Sequence, residues 1–192
     1  MEFKKIQLNG FKSFAEKTNF LIEDGLTGIV GPNGCGKSNI VESLRWVMGE
    51  TSAKSMRGSG MEDVIFSGTS NKASKNIAEV SIEVENKDEE GPIQYRKLEQ
   101  IQVRRKIEKD KGSKFYINDK EVRARDAQMF FADLSTGAHS PSMISQGRIG
   151  ALVTAKPTDR RAILEEAAGI SGLHVRRHEA ELRLGAAENN LK

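Results

Sequence analysis

The chain has 192 residues, of which 37% are hydrophobic and 30% charged, and its formal net charge is +3. This length suggests one domain, or one domain with an extension, and so weak a positive charge fits an ordinary surface as well as a nucleic-acid partner. The single cysteine, Cys35, excludes an internal disulfide framework and a zinc site of several thiolates. The N-terminus lacks a signal peptide, and no stretch reaches the roughly 18 apolar residues of a membrane helix. We therefore expect a soluble cytoplasmic protein.

The first half of the chain is predicted to be mostly β-strand. Near the N-terminus, Ile6 and Leu8 alternate with polar residues, which indicates a strand with one buried face. The pair Asp24-Gly25 separates two apolar runs and predicts a β-hairpin, whose second strand is "TGIV" at 27–30. The sequence "IAEVSIEVEN" alternates again, and a turn at 109–112 separates two further predicted strands.

Helical spacing follows residue 38 and returns in the last third. After "GKS", Ile40, Leu44 and Val47 fall on one apolar stripe that Gly49 ends. A loop is predicted over 52–76 and a helix over 125–134. The segment "PTDRRAILEEAAG" predicts another helix, with Thr158 as its N-cap and a C-terminal glycine stop.

The last residues show a heptad-like seam. The spacing is 4, 3, 4, 3, 4, with an arginine as its one polar member, and the positions are Leu173, Arg177, Ala180, Leu184, Ala187 and Leu191. A coiled coil needs about three to four heptads, so the seam fits a coiled coil or an amphipathic helix that lies on its own domain.

The segment "GPNGCGKS" at 31–38 matches the phosphate-binding motif G-x-x-x-x-G-K-[ST] at every fixed position. Small residues let the backbone wrap an anion, and the following helix N-terminus favours negative charge. Lys37 is predicted to reach the β- and γ-phosphates of ATP, and Ser38 to bind Mg²⁺. Cys35 is interpreted as a small residue that fits the loop. The predicted nucleotide-binding residues of this segment are Gly31, Pro32, Asn33, Gly34, Cys35, Gly36, Lys37, Ser38 and Asn39.

Hydrolysis needs more than this loop. A P-loop ATPase also uses a carboxylate, usually at the end of an apolar strand, to hold Mg²⁺ and polarise the attacking water. The one close candidate is Asp133 in "MFFAD", whose surroundings have helical spacing. The segment "LSTGA" at 134–138 lacks the paired glycines of the ABC-type signature. We therefore predict a phosphate cradle without the acid that activates water.

Six segments, in this order, resemble the N-terminal head segment of bacterial SMC (structural maintenance of chromosomes) proteins: "GFKSF", "GPNGCGKSNIVESLRWVMGE", "KSMRGSGMEDVIFSGT", "FYINDKEVRARD", "ISQGRIG" and "RRAILEEAAGI". The resemblance runs from Glu2 to about Leu184. It implies an α/β fold, the N-terminal lobe of an ABC-type P-loop ATPase head, with a mixed β-sheet around the P-loop helix and the start of a coiled-coil neck helix. Residues 1–169 would form the lobe and 170–192 the truncated beginning of the neck.

The resemblance also assigns roles to residues outside the loop. Gln146 in "ISQGRI" matches the glutamine that helps to bind Mg²⁺ and the attacking water, so it joins Lys37 as a predicted catalytic residue. Lys12 and Ser13 match residues that touch the nucleotide. Arg57 matches an arginine that links DNA contact to the phosphate site, and its planar fork suits phosphate oxygens.

Basic residues concentrate in "QVRRKIEKDKGSKF" and "KEVRAR". In an isolated domain such a face is usually only solvated, whereas the resemblance implies a head surface that meets DNA through its phosphates, independently of base sequence. We predict that DNA contacts come from some members of the set Lys54, Arg57, Arg104, Arg105, Lys111 and Lys114.

The leading hypothesis is the ATP-binding N-terminal lobe of an SMC chromosome condensation and segregation ATPase, inactive alone and active within the full-length protein. The implied cofactors are ATP and Mg²⁺. The implied partners are the C-terminal lobe of the same protein, a second SMC head in a homodimer, a kleisin subunit and DNA, with no membrane, and the implied location is the cytoplasm, in association with the nucleoid. Two alternatives stay open: the split head of a related ABC-type DNA-repair ATPase, and a structural module whose neck docks a kleisin.

Overall fold

The structure is a computed structural model, and it describes residues 1–87, 92–134, 143, 150, 153–168, 177, 180–182 and 184–188. Its strands are β1 (Glu2–Asn9), β2 (Thr18–Leu21), β3 (Ile77–Glu85), β4 (Gln100–Glu108), β5 (Gly112–Ile117) and β6 (Lys120–Val122). Its helices are α1 (Lys37–Val47), α2 (Ala124–Asp133) and α3 (Pro157–Ala167). Two short 3-10 turns, Lys54–Met56 and Met61–Val64, lie between α1 and β3.

A single antiparallel sheet of six strands forms one layer of the fold. The strands lie in the order β2-β1-β3-β4-β5-β6, and each neighbouring pair is antiparallel. The alternation predicted for β3 is confirmed, because Val80 and Ile82 are fully buried while Glu79 lies on the opposite face. The predicted turn at 109–112 joins β4 to β5, with Asp110 at a positive φ of 62°.

The core lies between the apolar face of the sheet and helices α1 and α2. Ile40 and Val47, from the predicted stripe of α1, are at most 5% exposed, so the helical period is confirmed. Gly49 follows the end of α1 at φ 106°, as its sequence position predicts. The side chain of Gln128 on α2 donates to the Gly49 carbonyl at 2.7 Å, which fixes the C-terminal end of α1 against α2.

Arg105 is a core residue, and its predicted contact with DNA is wrong. Arg105 is only 3% exposed, because it lies on the inner face of β4 together with the apolar residues at 103 and 107. The Nη1 group donates to the carbonyls of Trp46 and Glu50, both at 2.7 Å, and Nε donates to Ser113 Oγ at 2.7 Å. Burial lowers the pKa of the Arg105 guanidinium to about 10. This arginine therefore joins the sheet to the C-terminal end of α1.

Residues 27–30 do not form the predicted strand. Gly25 makes a tight turn at φ 86°, and the Thr27 hydroxyl closes it by donating to the Glu23 carbonyl at 3.3 Å. The chain after this turn pairs with none of the described strands, and Val30 is 94% exposed. A strand needs a neighbour to satisfy its backbone groups, so the apolar run alone does not produce one.

Helices α2 and α3 test two predictions about single residues. The helix predicted over 125–134 is confirmed as α2, and Asp133 is its last residue rather than the end of a strand. This agrees with the interpretation that Asp133 is not the water-activating acid. Helix α3 begins at Pro157, so Thr158 lies inside its first turn and is not the N-cap. Proline suits the first helical position because its missing N–H would have no partner there.

The C-terminal residues that the structure describes are helical. Arg177 Nε and Glu181 Oε1 form an i,i+4 ion pair at 3.2 Å, and Leu184 is 64% exposed. The seam positions Leu173 and Leu191 lie outside the described residues. The coiled coil and the boundary at residue 169 therefore stay predictions. Within the described ranges, no helix is both long and apolar enough to cross a membrane.

Candidate nucleotide-binding site

The phosphate loop runs directly into helix α1. Gly36 occupies the N-cap position of α1 in the left-handed region at φ 98°, and a Cβ there would lie 2.4 Å from Ser13 Oγ. Only glycine permits both this conformation and this approach. No side chain caps the described N-terminus of α1, and its first turn contains no acidic residue. Its amide groups and dipole therefore remain available to an anion.

Lys37 folds back along the loop that precedes it. Its Nζ donates to the carbonyls of Gly31 at 2.6 Å and Pro32 at 2.7 Å. The exposed thiol of Cys35 lies 3.8 Å from the same ammonium, and a Cβ on Gly31 would lie 2.9 Å from its Sγ. The loop is thus built from small residues, and the ammonium group of Lys37 is bound to its backbone carbonyls.

The residues near the loop fit a magnesium nucleotide. Ser38 is the second residue of α1 and is exposed. Mg²⁺ typically takes one or two protein ligands together with phosphate oxygens, so a hydroxyl beside a phosphate cradle suits it. Across the part of the chain that the structure describes, no group of three or more His, Cys, Asp or Glu side chains could hold a metal. Gln146, the predicted second ligand, lies outside the described residues.

The "GFKSF" segment forms a tight turn beside α1. Phe11 and Phe14 exchange two backbone hydrogen bonds, of 3.0 and 2.8 Å, which places Lys12 and Ser13 at the tip. Phe11 is fully buried and anchors the turn in the core. At the tip, Ser13 Oγ accepts a hydrogen bond of 2.9 Å from Asn39 Nδ2 on α1. Two of the residues that the resemblance assigns to the nucleotide therefore lie against the phosphate loop and its helix.

Arg57 contacts the same helix. It ends the 54–56 turn at φ 54°, and its Nη2 donates to Asn39 Oδ1 at 3.2 Å. Glu42, one turn further along α1, forms ion pairs with both Arg57 and Lys12. The Lys12 ammonium also donates to the Met56 carbonyl at 2.5 Å.

Glu42 is a residue of this cluster that no sequence motif singled out. It is 9% exposed and lies between the two cations that flank the phosphate loop. The local signal is its position three residues after Asn39, since residues at i and i+3 lie on the same helix face. Only the fold brings Lys12 and Arg57, 45 positions apart in the sequence, to that face.

Three other members of the predicted DNA-contact set lie on β4, on β5 and in the turn between them. Arg104 pairs with Glu79 at 3.2 Å and with Asp119 at 2.9 Å. Lys114 pairs with Glu121 at 3.0 Å. Lys111 pairs with Glu108 at 2.6 Å. Lys54 is exposed and lies three positions before Arg57 in the sequence. The surface of mixed charge around β4 and β5 therefore neither confirms nor excludes contact with DNA by these residues.

An apolar groove begins beside the phosphate loop. It lies between α1, β2 and residues 27–30, has a volume of about 910 Å³, and includes Lys37 and Ser38 in its lining. Ile29 and Val41 are 45% and 38% exposed there. Apolar side chains exposed together in this way are typical of a surface that meets another polypeptide.

Comparisons with known proteins agree with this geometry. The sequence matches the RecF/RecN/SMC N terminal domain family over residues 2–148. The chromosome partition protein Smc of Cereibacter sphaeroides is 57% identical over the whole chain, which spans 17% of that protein. A solved SmcHead bound to the C-winged helix domain of ScpA has a TM-score of 0.82 and 31% identity, over 89% of this chain and 52% of that one.

A second solved chain comes from work on ATP-driven dimerization and DNA stimulated activation of SMC ATPases. It has a TM-score of 0.77 and 30% identity, over 87% of this chain and 99% of that one. The similarity to head structures confirms the predicted fold class, an α/β ABC-type N-terminal lobe. It also confirms the resemblance on which the site residues were assigned.

Proposed function

The chain belongs to the RecF/RecN/SMC N-terminal domain family, and we propose that it is the ATP-binding N-terminal lobe of a chromosome-organising SMC ATPase. One observation carries the proposal. The glycine-rich loop at 31–36 leads directly into the N-terminus of α1, which no side chain caps, and Lys37 is the first residue of this helix. This arrangement suits a triphosphate because it offers amides, a helix dipole and an ammonium to one anion.

In the proposed complex, the chain binds and orients the nucleotide. Lys37 Nζ exchanges its bonds to two loop carbonyls for bonds to the β- and γ-phosphate oxygens. Ser38 and Gln146 would hold Mg²⁺, which would neutralise charge on the phosphates, and Gln146 would also orient the attacking water. Ser13 lies beside Gly36, and Arg57 donates to Asn39, the residue that follows the loop, which supports a nucleotide contact by both. The predicted contact of Lys12 with the nucleotide belongs to the same proposal.

The acid that activates water is proposed to come from the rest of the full-length protein. The match covers only 52% of the solved head bound to ScpA, so almost half of that head lies outside the match. The exposed apolar run at 27–30 and the groove beside α1 give such a second lobe a place to dock. In this proposal the run becomes a strand when the C-terminal lobe provides its neighbour, and the same lobe supplies the acid.

The proposed partners follow from the relatives. One solved relative is a head bound to a domain of ScpA, and another comes from work on ATP-driven dimerization and DNA stimulated activation. We propose that this chain's protein likewise pairs two heads in a homodimer, binds a kleisin subunit and contacts DNA without base specificity. Its place of action would be the nucleoid in the cytoplasm. High identity to Smc proteins favours this function over a DNA-repair head or a purely structural module.

Nucleotide binding and turnover by matched proteins test the proposal. The full-length protein should hydrolyse ATP, and Lys37→Ala should reduce ATP affinity at least about a hundredfold because the ammonium bonds charged phosphate oxygens. The 192-residue chain alone should show no turnover. Turnover by the chain alone that Lys37→Ala abolishes would contradict the missing acid, and equal ATP binding by Lys37→Ala would contradict the site itself.

A further inference from the structure

We propose that Glu42 is a positioning residue of the nucleotide site, which holds the guanidinium of Arg57 beside the phosphate loop. This inference rests on the proposed function, because it assigns a task to a residue of the same site. The observation that carries it is the pairing of one nearly buried carboxylate with two cations from separate segments of the chain.

Both oxygens of the Glu42 carboxylate have defined partners. Oε1 pairs with Arg57 Nη2, and Oε2 pairs with Lys12 Nζ. The Glu42 side chain is only 11% exposed, so water screens these ion pairs less than it screens surface pairs. Two cations around one anion leave a net charge of +1, which favours a phosphate nearby.

The carboxylate is fixed relative to the phosphate loop because both belong to one helix. Lys37 begins α1, and Glu42 follows five residues later, about 7.5 Å along the helix axis. Arg57, in contrast, stands at the end of a short 3-10 turn with a φ of 54°, which non-glycine residues adopt uncommonly. The ion pair with Glu42 therefore transfers the rigidity of the helix to an arginine on a loop.

Arg57 keeps part of its guanidinium for another ligand. Its contacts with Glu42 and Asn39 both use Nη2, and 60% of its side chain is exposed. A guanidinium has five N–H groups in a fixed fork, so the remaining ones can meet phosphate oxygens while Nη2 stays bound. Because Glu42 and Asn39 already hold the guanidinium, Arg57 loses less conformational entropy when it binds a phosphate. This strengthens the affinity for phosphate without adding a contact.

Titration of the full-length protein with a fluorescent N-methylanthraniloyl ATP analogue tests this role. Glu42→Gln keeps the shape of the side chain and removes its charge, so the charge-assisted bond to Arg57 is lost. We expect affinity for the analogue to fall about tenfold, the ratio that corresponds to one such bond. Glu42→Asp should give an intermediate affinity because it keeps the charge on a shorter side chain.

The decisive comparison repeats Glu42→Gln in an Arg57→Ala background. If Glu42 acts through Arg57, the second substitution should cause no further loss of affinity. The matched control is Glu79→Gln, which breaks an ion pair with Arg104 on the sheet and should leave affinity unchanged. Melting temperatures measured alongside separate an effect on the site from an effect on the fold.

Two outcomes would overturn the inference. An equal loss in both backgrounds would show that Glu42 does not act through Arg57. Tighter binding by Glu42→Gln would show that the carboxylate competes with phosphate. Failure of the proposed function looks different, since the unsubstituted protein would then not bind the analogue, or Lys37→Ala would bind it equally well.

Discussion

Two arginines contact helix α1 at opposite ends, and their surroundings give them different roles. Arg57 lies near the N-terminal end, where 60% of its side chain is exposed and a nearly buried carboxylate holds one edge of its fork. Arg105 lies at the C-terminal end, where the residue is 3% exposed and donates to two backbone carbonyls. Exposure and partners, not residue type, decide which arginine can meet a ligand.

The largest expected effect is on stability at the buried end. Arg105→Ala removes the charged donor from the carbonyls of Trp46 and Glu50, and each hydrogen bond to a charged group contributes about 1.5–3 kcal/mol. Arg57→Ala should cost no more than about 1 kcal/mol, because most of its side chain is exposed and Lys12 remains paired with Glu42. Urea unfolding of both variants measures the contrast. Equal destabilisation would remove the distinction between the two ends.

A second substitution acts on the exposed end through the backbone. Gly36→Ala places a Cβ 2.4 Å from Ser13 Oγ at a φ of 98°. We expect a loss of about 1–3 kcal/mol from backbone strain, together with weaker ATP binding. Gly28→Ala is the matched control, since its Cβ would meet nothing within 4 Å. If the two variants unfold at the same urea concentration and bind ATP equally, the loop does not depend on the glycine at its junction with α1.

The smallest expected effect is a dependence of stability on pH in the turn that follows Arg57. Hydrogen bonds from the Gly60 amide, and then from the Ser59 hydroxyl and amide, hold the pKa of Asp63 below its usual value. A lowered pKa in the folded state means that this stabilisation is present above the unfolded pKa of about 4. It is lost as the pH falls through the folded value.

Comparing the unsubstituted chain with Asp63→Asn isolates this contribution. The difference in unfolding free energy between the two should be constant near neutral pH and should shrink on acidification below about pH 4. Glu62→Gln is the control in the same turn. It removes a neighbouring carboxylate but leaves the Asp63 carboxylate, which accepts the Ser59 and Gly60 amides. A difference that stays constant through the acid range would contradict this role for Asp63.

Much of the fold could be predicted from local patterns. The alternation in β3, the stripe of α1 and the helix at 124–133 are each visible in the sequence, because strand and helix periods differ. Strand β4 alternates in the same way. Arg105 is two residues from each of the apolar positions 103 and 107, so the alternation places it on their buried face. The charge of Arg105 suggested a surface position, and the DNA contact predicted for this residue is therefore wrong, whereas those of the other members of the set stay predictions.

The strand predicted at 27–30 shows that a local pattern can also predict an element that the described structure does not form. Its residues have the composition of a strand, yet the described structure provides no neighbour, and Val30 stays 94% exposed. Glu42 shows a similar limit within the site. Nothing near Glu42 in the sequence indicates that segments around positions 12 and 57 will supply its two partners.

The sequence alone was enough to predict the phosphate loop, because glycine spacing, Lys37 and a following helix are local requirements for wrapping an anion. It also determined which faces of β3 and α1 are apolar, since the period of each element is a local property. Which groups Arg105 binds, and that Glu42 pairs with two distant cations, follow only from the folded structure. The physical reason is that desolvation and ion pairing depend on distances through space, and these are set when the sheet packs against α1.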